Sequence, residues 1–188
     1  MEILIKDVFM KATHLQAENK YQKFRTEALA RAKSFLPKYL KDNIDFRGID
    51  KEALLMVQMW ESHPQRKDLP WSFSQGYKRW SFRHPDRLDL SIWLGETLCS
   101  LAIGFPTKTG ESMRLDVIEK NPCEVSILDK RIFDLNIVAF RAYADLLGAR
   151  RIKIMRPLND KLISFYRSRG FIYQKSNGSN PEHLWMVL

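Results

Sequence analysis

Tyr166 stands seven residues after Asn159 in the stretch NDKLISFYRSRGF, residues 159–171. A phenol with an ordinary pKa near ~10 keeps its proton at neutral pH and can pass it to a developing anion. Asn159 is a helix-capping type, and two turns separate it from Tyr166, so cap and phenol share nearly one side of a helix over 160–169. Glu119 ends the stretch SMRLDVIEK in phase with Met113, Leu115 and Val117. That phase makes it the candidate base, with Asp116 on the opposite face unless a bulge intervenes. Lys130 and Arg131, in SILDKRIFD at 126–134, can meet an anion by side-chain charge. His84, ahead of Pro85, is available to line an acceptor site. Each has a plainer alternative: a core ring, a cap, a strand-end carboxylate, a solvated basic pair, an exposed loop histidine.

These groups need a scaffold. LDLSIWLG, the turn GE and TLCSLAIGFPT read as a hairpin over 88–107. KTGE is a further turn, leading into a third strand at 113–119. LNIVAFRAYADLLGA is a helix with Ile137, Phe140, Ala144 and Leu147 on one stripe and Gly148 as its stop. RRIKIMRP is a short strand ended by Pro157. A strand, a helix and another strand in succession make 113–119 and 151–155 parallel neighbours. FIYQK and HLWMVL are the last strands.

Earlier in the chain, ILIKDVF at 3–9 reads weakly as a strand and residues 14–40 as a helix ended or kinked by Pro37. Asp50 caps a second helix, whose Leu54, Leu55, Val57, Met59 and Trp60 make it largely buried. Residues 63–87, broken by Pro64, Pro70 and Pro85, read as a lid or loop in which Trp71, Phe73, Tyr77, Trp80 and Phe82 alternate with basic groups. The same alternation suits stacking on RNA.

Composition sets the outer bounds. The 188 residues, 45% hydrophobic and 28% charged, suit one domain with a substantial core. No apolar run has the length of a membrane span, and MEILIKDVF is not a signal peptide. The two cysteines, Cys99 and Cys123, read as reduced thiols, Cys99 in the core, and no cluster suggests a metal. The expected location is cytoplasmic. The net charge of +9 favours anionic partners without choosing among them.

The helix ending LLGA, the strand RRIKIMRP and then NDKLISFYRSRGF resemble the GNAT acetyltransferase superfamily. The resemblance covers roughly residues 88–175, with only the element order compatible before that. It implies a single α+β domain over 1–188, its mixed, mostly antiparallel sheet carrying one parallel splayed pair and helices on both faces. Residues 1–87 form the front, acceptor side and 88–188 the sheet and cofactor side. It further implies acetyl-CoA as co-substrate, without a metal, in the cleft between 113–119 and 151–155. Backbone at Val117 and Ile118 would pair with the pantetheine arm, Asn159 would orient the cofactor, and Tyr166 would protonate the leaving thiolate. An amine would attack directly, with Glu119 as base. The sequence departs from the superfamily at 126–134, where a glycine-rich pyrophosphate loop is usual and none of the residues is glycine. Lys130 and Arg131 are the candidate replacements. The expected activity is N-acyl transfer to an amine on a small molecule, a protein or an aminoacyl-tRNA. The alternatives are an inactive binding module of this fold and an RNA-linked protein, and a homodimer is left open.

Overall fold

The computed structural model describes residues 2–66, 69–123, 128 and 130–188, with the backbone alone for residues 2–12. The expected hairpin is β2 (Leu88–Leu94) and β3 (Thr97–Gly104), paired antiparallel. A strand not expected from sequence, β1 (Ile44–Arg47), lies antiparallel on the other edge of β2. Its four residues carry Asp45 and Arg47 and make no apolar run, so pairing rather than propensity creates it.

The third strand is broken in two, β4 (Ser112–Leu115) and β5 (Val117–Lys120). β4 pairs in parallel with β6 (Arg151–Met155), as expected, with Leu115 opposite Ile154. β5 leaves that partner and pairs antiparallel with β3 alone. Beyond β6 come β8 (His183–Val187) and then β7 (Ile172–Gln174) at the edge. The β3–β4 connection remains in contact, with Arg114 N–H donating to Phe105 O at 3.0 Å. The two four-stranded ladders therefore form one bent sheet, continuous through the β4–β5 chain.

Helices cover both faces. α5 (Ile132–Leu147) is stopped by Gly148 in the left-handed region at φ 73. It packs with α1 (Glu2–Ser34) on one face, over Leu88, Leu90, Ile92 and Met113. α1 includes residues 3–9, so the expected first strand is helix. Pro37 precedes a short α2 (Lys38–Lys41). α6 (Asp160–Arg167) joins this face through Tyr166 and Phe165, and Phe171, just after the helix, packs there too. The opposite face holds α3 (Lys51–Glu61) and α4 (Phe73–Arg83) over Trp93, Leu98, Leu101 and Ile103.

Asp50 caps α3, its Oδ1 accepting from Ala53 N–H at 2.8 Å. Leu55 and Met59, expected in the core, are 66% and 69% exposed, because α3 buries only the stripe of Ala53, Val57 and Trp60. The middle of the expected lid is α4: Ser72 caps it, and Phe73 and Tyr77 are buried at helical spacing. The prolines stand outside that helix and do not interrupt it.

α1 is fastened to the sheet by a buried ionic cluster. Arg25 pairs with Glu18, lies 3.7 Å from Asp89, and donates to Pro85 O at 3.0 Å and Arg87 O at 3.3 Å. Tyr77 O–H donates to Asp89, which tethers α4 to the same cluster. Burial and the Asp89 charge raise the Tyr77 phenol far above its usual range.

Candidate active site

The break between β4 and β5 is a β-bulge. Asp116 N–H donates to Ile103 O at 2.9 Å, while Val117 is registered opposite that same residue. Two residues on one strand thus oppose one on the other, which bends the strand and re-aims its side chains. β5 is turned off the line of β6, and the parallel pair splays. Asn121 N–H donates to Cys99 O at 2.9 Å, which fixes the alternation. Val117 and Glu119 turn their backbone groups to β3, and Ile118 turns its own toward the open edge. Of the two residues expected to pair with an extended ligand, Ile118 is the one whose backbone faces the cleft.

The bulge also reassigns the carboxylates. Glu119 is buried and held in a bidentate pair by Arg66, Nε to Oε1 at 2.6 Å and Nη2 to Oε2 at 3.2 Å. Both oxygens are committed to a guanidinium from the connection between α3 and α4, a poor arrangement for a base. Asp116, which simple alternation puts on the wrong face, lies among groups of the α4 side. Its Oδ1 pairs with Arg114 Nη2, and its Oδ2 is buried without a partner among the described residues. Burial raises the Asp116 carboxyl above its ordinary value, and the charges of Arg114, His84 and Arg156 only partly offset it. A carboxylate with a raised pKa and one open oxygen is the better proton acceptor.

Phe105 forms the floor beside Asp116. His84 stacks on its ring at 3.9 Å between centroids, and the Arg114 guanidinium lies 4.3 Å from the ring centroid. Trp80 closes the edge, 5.1 Å from His84 and 6.2 Å from Phe105. Burial lowers the His84 pKa and favours the neutral imidazole.

Tyr166 lies on the other face of the sheet, 5% exposed, among Phe133, Phe165 and Phe171. Burial pushes its phenol up to about 12, so it is fully protonated at neutral pH. No hydrogen bond among the described residues engages its hydroxyl. Asn159 caps α6, its Oδ1 accepting from Leu162 N–H at 3.0 Å. That amide oxygen is occupied, and Asn159 fixes the helix that carries Tyr166.

Of the loop at 126–134, Ser126, Ile127 and Asp129 lie outside the described residues. Lys130 adopts φ 67, a left-handed conformation that glycine usually supplies. Arg131 occupies the N-cap of α5 without a side-chain cap bond. Its guanidinium donates to Tyr39 Oη at 2.5 Å. Arg169 pairs with Asp134 at 2.8 Å and offsets the acid in the first turn of α5. The end of α5 thus combines uncapped amides with exposed cations, a donor set suited to phosphate.

The strand order, bulge, splay and helix placement define the acyl-CoA N-acyltransferase fold, known as GNAT. Solved structures share this fold. An acetyltransferase from Thermus thermophilus is similar at 19% identity and TM-score 0.54, covering 78% of this chain and 97% of that one. An acetyltransferase from Streptococcus agalactiae is similar at 11% and 0.57, covering 78% and 99%. The PaiA N-acetyltransferase of Thermoplasma acidophilum, solved in complex with coenzyme A, is similar at 16% and 0.53, covering 77% and 99%. No family model matches the sequence, and no curated protein does. No helix among the described residues is long and apolar enough to cross a membrane, and none of those residues form a metal-binding group.

Proposed function

We propose that the protein is an acyl-CoA-dependent N-acyltransferase that transfers acetyl from acetyl-CoA to a primary amine by direct attack. The observation that carries this reading is the bulge at Asp116 and Val117. It opens the parallel pair and places a buried carboxylate oxygen without a partner beside the opening.

The donor set fits such a co-substrate. The outward backbone of Ile118 suits an extended amide-bearing arm. Lys130 and Arg131 at the amino end of α5 suit the pyrophosphate, taking the place of glycine amides. Acetyl-CoA supplies an activated acyl group as a thioester. The chain's own residues move protons. Asp116 Oδ2 accepts the proton the amine loses, and the Tyr166 phenol donates to the departing sulfur. Asn159 and the ring cluster of Phe133, Phe165 and Phe171 hold Tyr166 in place. The pair Glu119–Arg66 fixes β5 against the α3–α4 connection and leaves the base role to Asp116.

Differential scanning of the protein with and without acetyl-CoA tests this reading. Binding to the folded state alone raises the melting temperature by mass action. A rise that is reduced when Lys130 and Arg131 are both changed to Ala supports it. The absence of any rise at millimolar acetyl-CoA, with no binding in calorimetry, overturns it in favour of an inactive module of the same fold.

A further inference from the structure

The aromatic and basic side chains of residues 71–83 are only partly used by the proposed acyl transfer. Folding into α4 sorts them. Phe73 and Tyr77 turn into the core, and Trp80 packs against His84 and Phe105. Lys78, Arg79 and Phe82 fall within one turn on a different stripe, and all three are exposed. Phe82 is 67% exposed.

This stripe lines an open groove of about 670 Å3 between α4 and α1, which contributes His14 and Glu18. His14 stacks on the Phe82 ring, 4.4 Å between centroids and 20° between planes, and its Nε2–H donates to Phe82 O at 2.6 Å. The imidazole backs one face of the ring and leaves the other to solvent. Glu18 also lines the groove, but its carboxylate is already held by Arg25 and Arg87. Lys78 and Arg79 enter no ion pair among the described residues. The groove therefore presents an open aromatic face beside two uncommitted cations.

The next residue of α4, Arg83, lines a second recess of about 710 Å3 together with Tyr21 and Lys108, and Asp86 lies there too. Tyr21 stands two turns after His14 on α1, so both recesses follow the α1–α4 junction. A ring flanked by cations along a groove matches a strand whose bases stack while its phosphates pair. A duplex hides its base faces against their neighbours and leaves the ring without a partner. An acidic peptide would use the cations and not the ring. The net charge of +9 adds attraction at long range.

We propose that the α1–α4 groove binds single-stranded nucleic acid, with one base stacked on Phe82 and the adjoining phosphates on Lys78 and Arg79. This surface is independent of the proposed acyl transfer.

Fluorescence anisotropy on the full chain, without acetyl-CoA, tests the proposal with a labelled oligoadenylate of about twelve nucleotides. RNA and DNA versions distinguish the two sources of the same chemistry, and binding of either supports the groove. A GC-rich duplex of similar length, heparin, polyglutamate and phosphatidylserine vesicles are the comparisons. The single strand should bind more tightly than all four, with affinity falling as salt rises. Phe82→Leu should weaken it about five-fold or more, the loss of one base–aromatic stack, and Phe82→Trp should retain it. Lys78→Gln combined with Arg79→Gln should reduce the salt slope by about 1.4, two phosphate contacts at ~0.7 each. Equal affinity for duplex or heparin, or no loss in Phe82→Leu, overturns the proposal and leaves a generic basic surface. Tighter binding to polyglutamate or to the vesicles overturns it in favour of an acidic protein or a membrane. None of these outcomes depends on whether acetyl-CoA binds, so this proposal and the acyl transfer stand or fall separately.

Discussion

A Cβ on Gly104 would lie 1.9 Å from the carbonyl oxygen of Arg114 and 2.8 Å from the ring of Phe140. The end of β3 thus passes against the backbone of β4 just before the bulge, with α5 closing over it. No side chain fits between them, so this contact fixes the plane from which β5 departs.

Gly104→Ala should therefore destabilise the protein by about 3 kcal/mol, at the upper end of overpacking costs, because the obstacle is backbone and α5 cannot yield. Urea denaturation gives the measurement. A shift below ~0.5 kcal/mol would show that the two strands are free to separate.

Tyr166→Phe removes a hydroxyl that none of the described hydrogen bonds uses, and leaves the ring in its cluster. The melting temperature should be essentially unchanged while kcat falls by ~10²-fold or more, the usual contribution of a positioned acid. If Tyr166 is only a core ring, the substitution changes neither quantity much.

Glu119 and Arg66 predict the reverse. Arg66→Met leaves the buried Glu119 carboxylate without its guanidinium and should cost about 3 kcal/mol of stability; Glu119→Gln, which breaks the same bidentate pair, should cost less. The double change should cost less than the sum of the two, the signature of a shared interaction. If Glu119→Gln leaves stability intact but abolishes turnover, Glu119 and not Asp116 is the base.

As the proposed base, Asp116 should govern the acid limb of activity. Its folded pKa lies above the ordinary 3.8, mainly through burial, so kcat/KM should fall as pH drops through that raised value. Asp116→Asn should remove the limb and lower turnover at neutral pH. The sign for stability is opposite to that of a salt-bridged acid. A raised carboxyl favours the protonated fold, so ionisation of Asp116 costs stability as pH rises through its unfolded value.

Glu18 behaves in the ordinary way. Burial raises its pKa, but the hydrogen bond and charge of Arg87, together with Arg25, outweigh that and leave it below 4.5. Its contribution is present above the unfolded value and lost as pH falls through the lower folded value. Arg25→Met should destabilise the protein by about 3 kcal/mol at pH 7, because Glu18 and Asp89 lose a buried cation. The loss should shrink as pH falls from 4.5 through the lower folded value, below which Glu18 is protonated in both states.

What the sequence by itself determined is the local part. The Asp50 and Asn159 caps, the Gly148 stop, the hairpin expected over 88–107 and the α5–β6–α6 run all depend on neighbours within a few residues. A capping oxygen or a left-handed glycine acts at the same distance in any fold. That run also carried the resemblance to the superfamily and placed Tyr166 correctly on a helix. Tertiary structure alone decided the rest. β1 exists because β2 offers it an edge, and α4 because Phe73 and Tyr77 find a sheet face to cover. The bulge at Asp116 is a matter of strand register, which alternation in one strand does not encode. It leaves Glu119 paired with Arg66 and one oxygen of Asp116 without a partner among the described residues. The Arg66–Glu119 pair joins residues 53 apart in the chain, a contact that only folding brings together.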